Sequence, residues 1–214
     1  MSSGGDPAAS AMATQICDQI RSIFSAPPSP YGSPLEVLVE EIAASAGRGN
    51  RVFVHGVGRE GLMLRAFCMR LYHLGVAAHP VGDVTTPPAA PGDLLLASAG
   101  PGGFSTVGAI CGVARAAGAR VVLLTAQPES GSEARRCADR VAFLPAQTMA
   151  DAEDEEAVGD NGEGKESGGP SVRLPMGSLY EGAAFVLFEM VVCRLEVVLG
   201  CTPQEMRSRH TNLE

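Results

Sequence analysis

An excess of basic residues is the first thing this chain lacks. Its 214 residues carry 16 Lys and Arg against 24 Asp and Glu, a formal net charge of −8. Nucleic acids and anionic membrane surfaces attract Lys and Arg, so general binding to either is not expected. Paired cysteines of the metal or redox kind are also missing. Cys17, Cys68, Cys111, Cys137, Cys193 and Cys201 form no C-x-x-C pair, and none is spaced with a histidine as zinc ligands are. No metal site is expected, and the thiols read as reduced, mostly buried small hydrophobes of a cytoplasmic protein. No basic region followed by an apolar run opens the chain, so its start does not read as a secretory signal. Asp6 and Asp18 precede the first arginine, Arg21, which argues against an organelle transit peptide. Nor is there an apolar run long enough to span a bilayer, because the longest is broken by Glu189 and Arg194.

What the chain has is 45% apolar residues, enough for one domain with a substantial core. Its acidity is local. Residues 151–166 hold eight acids and one base, Lys165, leaving 15 bases and 16 acids elsewhere. Residues 146–171, rich in acids, Gly and Ser, read as a disordered surface insertion. Residues 1–10 read as a flexible tail, and residues 11–145 with 172–214 as a single domain.

Within that domain helices and strands alternate. Residues 12–24 place Ile16, Ile20, Ile23 and Phe24 at helical spacing. Four prolines in residues 26–34 mark a linker, and Ser33-Pro34 then starts a helix. Strands are predicted over 51–55, 77–81, 93–98, 120–125 and 140–144, and helices over 60–74, 106–117, 131–138 and 179–199. Several strands are continuous apolar runs, as expected where both faces of a parallel sheet are covered. The alternation predicts an α/β three-layer sandwich around a parallel sheet. The last helix is apolar nearly all round, which predicts burial in a core or between subunits.

Two glycine-rich turns follow strands and open helices. Gly56-Val57-Gly58-Arg59-Glu60-Gly61 has the form G-x-G-x-x-G, in which glycines permit close approach and the helix start offers free N–H groups to a phosphate. Asp83, 22 residues beyond Gly61, fits the ribose-binding acid of a dinucleotide site, although a tight strand–helix turn explains the glycines as well. The second turn is Ser98-Ala99-Gly100-Pro101-Gly102-Gly103-Phe104-Ser105-Thr106. Two such turns in one parallel sheet face a common ligand, which suits a sugar-phosphate site better than a dinucleotide.

The chain resembles the sugar isomerase (SIS) domain, and within it the 6-phospho-3-hexuloisomerase family. The G-x-G-R-S-G turn and its A-x-x-M-R-L-x-H-L-G helix match residues 56–61 and Ala66, Met69, Arg70, Leu71, His73, Leu74 and Gly75. A V-G-E-x-x-T-P segment is close to residues 81–87, P-x-G-[ST]-x-[FY]-E appears as residues 175–181, and R-H-x-N-L-E as residues 209–214. The resemblance implies an SIS-type three-layer α/β/α sandwich with a central parallel five-stranded sheet, assembled as a homo-tetramer or dimer. It implies isomerisation of a phosphorylated ketohexose through an enediol, with no cofactor. Glu181 matches the base, and His210 a terminal histidine that reaches a site of its own chain or of a neighbouring subunit. Gly56, Gly58, Arg59, Glu60, Gly61, Asp83, Thr85, Thr86, Gly100, Gly102, Gly103, Ser105, Thr106, Gly177 and Ser178 are the candidate substrate contacts.

The match fails in both glycine loops. The S-G-S-G-E-T of the second loop is Ala99-Gly100-Pro101-Gly102-Gly103-Phe104 here, and the Ser of the first loop is Glu60. Hydroxyl donors to phosphate are lost, at about 1.5–3 kcal/mol for each charge-assisted bond, and Pro101 brings no N–H. Glu60 is expected to add a like charge near a phosphate, with Ser105 and Thr106 as partial substitutes. A non-catalytic phosphosugar-binding or regulatory module is therefore the second reading, and a dinucleotide-binding enzyme the third. Ser178-x-x-Glu181 also has the form of a capping box, so Glu181 reads as cap or as base. Arg59 is a cation at a helix start, where the dipole disfavours it, which favours a contact there.

Overall fold

The computed structural model describes residues 6–151 and 172–213. Its helices and strands run α1 (Pro7–Phe24), α2 (Pro34–Gly47), β1 (Val52–His55), α3 (Gly58–His73), β2 (Ala78–Pro80), β3 (Leu94–Ser98), α4 (Ser105–Ala116), β4 (Arg120–Thr125), α5 (Glu133–Cys137), β5 (Arg140–Phe143), α6 (Ser178–Val198) and α7 (Pro203–Ser208). The strands form one sheet in the order β2-β1-β3-β4-β5, every neighbouring pair parallel. This is the expected α/β architecture.

The two-residue period of a strand divides the core. Val52, Val54, Leu94, Leu96, Val122 and Leu124 face a layer built from α2, α3 and α6, where Leu38, Ile42, Phe67, Leu71, Leu187 and Val191 are buried. Phe53, Leu95, Ala97, Val121 and Leu123 face α4 and α5, against Val107, Cys111 and Ala134. Each such Leu, Val or Phe contributes roughly 1.5–3 kcal/mol when removed from water. In the first layer the rings of Phe67 and Phe188 stack at 4.4 Å, locking α3 to α6.

Three boundaries correct the expectations. α1 begins at Pro7, with Asp6 Oδ1 accepting from the Ala8 N–H at 3.0 Å, so residues 7–10 are helix rather than tail. The cap and the proline at the first turn carry that start, and the small residues that follow, 8–11, hide it from apolar periodicity. Residues 1–5 lie outside the described residues. The insertion does not start at 146, because Ala146 and Thr148 are buried. Asp151, counted among the solvated acids, accepts from Thr148 N, Thr148 Oγ1 and Gln127 Nε2 at 2.7–3.0 Å. The disorder expected for the rest of the insertion falls on residues 152–171, outside the described residues. The third correction is α7, unread in the sequence although Thr202 and Glu205 form a capping box that announces it.

The cysteines also divide. Cys68, Cys111 and Cys137 are buried, whereas Cys17 and Cys193 are exposed, against the expectation for most of them. All six are unpaired. Burial pushes the Cys111 thiol up to about 12 and that of Cys68 up to about 11, which leaves both as inert packing groups.

Candidate functional site

In the order β2-β1-β3-β4-β5 the chain leaves β1 in one direction and β3 in the other. The crevice between their carboxyl ends is where open parallel sheets take ligands. Both glycine turns lie there. α3, α4 and α6 all begin at this end, and none of the three has a side chain capping its first turn. Their uncapped N–H groups give the crevice a positive potential.

Two networks tie these starts together. In the first, the Glu60 carboxylate, buried in the opening turn of α3, accepts from Ser98 Oγ at 2.5 Å and from the Gly100 N–H at 3.0–3.1 Å. The Tyr180 hydroxyl, from α6, lies 3.2 Å from Ser98 Oγ. In the second, Arg59 reaches across to α6. Its guanidinium donates to Ser178 Oγ at 2.8 Å and to the Met176 carbonyl, and stands 3.2 Å from Glu181 Oε2. Met176 has φ 51°, a left-handed value uncommon for a residue with a side chain, so this entry to α6 is strained.

Electrostatics set the two carboxylates apart from ordinary surface acids. Burial raises the pKa of Glu60, partly opposed by Ser98 and Gly100 and reinforced by the charge of Glu181. Burial likewise raises that of Glu181, with Arg59 acting against it. Tyr180 is pushed well above 10 by burial first, then by the charge of Glu60, and stays a neutral hydroxyl. His55, at the end of β1, is lowered by burial, so its imidazole is neutral at pH 7. Glu181 Oε2 is buried and, among the described residues, makes no hydrogen bond; its approach to Arg59 is an ion pair outside hydrogen-bonding alignment. A partly buried carboxylate with a free lone pair, a raised pKa and a guanidinium beside it has the properties of a general base.

The capping alternative for Glu181 fails. Gly177 is the cap residue of α6, Ser178 is already helical, and the Ser178 hydroxyl donates to the Pro175 carbonyl at 2.7 Å. Arg59, Glu60, Gly100, Ser178 and Glu181 are brought together, as expected of one site. Gly56 and Gly61 serve the turn itself: a Cβ on Gly61 would stand 2.5 Å from the Gly56 carbonyl oxygen, so α3 packs on the end of β1 only with glycine there. Gly102 and Gly103 are covered by Ser130 and Ser132, whose hydroxyls both donate to the Gly102 carbonyl. Ser105 and Thr106 are exposed at the start of α4.

Other expected contacts lie elsewhere. Asp83 pairs with Arg65 at 2.9 Å on the outer side of α3, and Thr86 donates to the Pro80 carbonyl, so this segment forms a strand-end turn that also exposes Thr85. The acid that a dinucleotide ribose requires is thereby engaged. His210 stacks on His73, with ring centroids 5.3 Å apart, at the far end of α3. His73 lies thirteen helical steps beyond Glu60, about 20 Å, so His210 does not join Glu181 within one chain. Ser98 and Tyr180 are the site residues that sequence reasoning missed. The signals were a hydroxyl closing an apolar strand and a tyrosine in an apolar helix, whose buried hydroxyl needs a partner.

The parallel five-stranded α/β/α sandwich is the fold of solved sugar isomerase domains. A crystal structure from Methanococcus jannaschii, for which a 3-hexulose-6-phosphate isomerase function was inferred, superposes with a TM-score of 0.70 at 23% identity, covering 95% of this chain and 97% of that one. An Escherichia coli protein in complex with a sugar phosphate superposes with a TM-score of 0.66 at 14% identity, over 94% of each chain. No family model matches the chain. The 3-hexulose-6-phosphate isomerase of Mycobacterium gastri is 36% identical over 181 residues, 85% of this chain and 81% of that one. The chain belongs to the 3-hexulose-6-phosphate isomerase family.

Proposed function

We propose that this protein interconverts 3-hexulose 6-phosphate and fructose 6-phosphate by proton transfer, with Glu181 as the base. The observation that carries the reading is the Glu181 carboxylate, with an unbonded buried oxygen, beside the Arg59 guanidinium at the β1–β3 crevice. Glu181 takes the proton from C2 of the 3-ketose, the C–H electron pair forms the C2–C3 double bond, and the carbonyl pair moves onto O3, giving a 2,3-enediolate. The O2 proton passes to O3, the carbonyl re-forms at C2, and the protonated Glu181 returns its proton to C3. Arg59 holds the base and stabilises negative charge on the enediol oxygens. The phosphate sits against the open start of α4, with Ser105 and Thr106.

The same reading includes a homo-oligomer and a cytoplasmic setting. Phe185 on α6 and Leu62, Met69 and Tyr72 on α3 are exposed large apolar side chains, an arrangement that supports association of copies. His210 then serves a neighbouring subunit's site rather than its own. Six unpaired cysteines support a reducing compartment. Among the described residues no helix is long and apolar enough to cross a membrane.

Turnover of 3-hexulose 6-phosphate by the purified chain, followed as fructose 6-phosphate formed, tests the reading. Steady conversion is expected. Thermal stabilisation by sugar phosphates without turnover would instead assign a binding module, which the altered second loop favours as the alternative.

A further inference from the structure

The second glycine loop has its donors spoken for in its first half. The Gly100 N–H is shared between both oxygens of Glu60 at 3.0–3.1 Å. Pro101 has no N–H, and the Gly102 N–H donates to the Ala99 carbonyl at 2.9 Å. The Glu60 carboxylate lies directly against Gly100, for a Cβ built there would stand 3.1 Å from Glu60 Oε1. A carboxylate thus occupies the kind of place that a phosphate oxygen takes in a glycine loop: a backbone N–H and a serine hydroxyl both point at it. From Ser105 onward the loop is different, because α4 begins there uncapped and its first-turn N–H groups have no partner within the helix.

We infer that Glu60 determines ligand specificity in this site: as a built-in anion it takes the Gly100 and Ser98 donors, confines the phosphate of a bound sugar to the start of α4, and weakens phosphate binding by like-charge repulsion. The inference rests on the sugar-phosphate reading above. It makes Glu60 a positioning and selecting residue with no part in proton transfer.

The test compares wild type, Glu60→Gln and Glu60→Ser by calorimetric titration with fructose 6-phosphate from pH 5 to pH 8, with turnover and melting measured on the same samples. The charged and titratable groups around Glu60 are Arg59 on its own helix, His55 ending β1, and Tyr180 and Glu181 on α6. The protein groups are common to all three proteins, and the sugar phosphate takes its second proton at about pH 6, so the effect of the charge at position 60 is read at pH 8, where the phosphate is a dianion. Glu60→Gln keeps an oxygen for the Gly100 N–H and removes the charge. It is expected to bind about tenfold more tightly at pH 8, with the advantage shrinking as pH falls and both the Glu60 carboxylate and the phosphate take protons. Glu60→Ser, which also frees the Gly100 N–H, is expected to bind at least as tightly as Glu60→Gln; if it melts early, Glu60→Gln carries the test. A wild type that turns over, with variants that bind no more tightly and show a parallel pH profile, overturns the Glu60 inference alone. A wild type that neither binds nor turns over, beside variants that bind, upholds it and overturns the isomerase reading. Absence of binding in all three overturns both.

Discussion

At the amino end of the sheet every buried carboxylate has an arginine. Asp93 accepts from the Arg51 N–H, the Ala90 N–H and the Arg51 guanidinium. Glu41 receives Arg120 through two parallel bonds of 2.7 and 2.9 Å. The more exposed Asp139 accepts from the Val121 N–H and Arg115, which outweigh its desolvation and hold its pKa below the ordinary value. At the carboxyl end Glu60 has, among the described residues, no ion-pair partner, and Glu181 leaves one buried oxygen without a hydrogen bond. The same residue types do opposite work. Paired with Arg and backbone N–H groups, they fix the starts of the strands. Buried without full pairing, they cost stability and retain the capacity to take a proton, the combination found where chemistry is done.

The largest stability effect is expected at the amino end. Asp93→Ala strands two part-buried N–H groups and the partly buried Arg51 charge, and should cost about 3 kcal/mol, read as a lowered urea midpoint. A cost below about 1 kcal/mol would erase the contrast between the two ends.

At the carboxyl end the sign reverses with pH. The folded pKa of Glu60 lies above its unfolded value, so between the two the folded state holds the extra proton. Stability from this group is therefore present below the unfolded value and lost as pH rises through the folded value. Wild type should lose stability relative to Glu60→Gln as pH rises from the unfolded carboxylate value through the raised folded value; Glu181, also raised, is common to both proteins. Parallel stability curves would mean that Glu60 is as well paired as Asp93. The smallest effect belongs to Tyr180→Phe, which removes only the 3.2 Å contact to Ser98 and should cost about 1 kcal/mol. A much larger loss would show that the Glu60 network acts as a single unit.

The sheet was legible because its strands are apolar runs separated by amphipathic helices, and local patterning settles both. The site was legible in part. Arg59, Glu60 and Glu181 stand in recognisable motifs, but what each faces depends on how α6 docks beside α3, which no local pattern reports. Glu60 read as a charge pointing at a ligand; in the fold it turns inward to Ser98 and Gly100. The S-x-x-E spacing at Ser178 promised a capping box that a left-handed Gly177 pre-empts. His210 stood in a family motif, yet three-dimensional placement sets it against His73, at the wrong end of α3 for its own chain's site.

Proton exchange in D2O tests the role of Glu181 most directly. Fructose 6-phosphate incubated with the wild-type chain should lose its C3 proton signal as deuterium enters through the enediol. Glu181→Gln, folded and equally stable, should slow that exchange by about 10²–10⁴-fold. Exchange at the wild-type rate in Glu181→Gln would contradict the account.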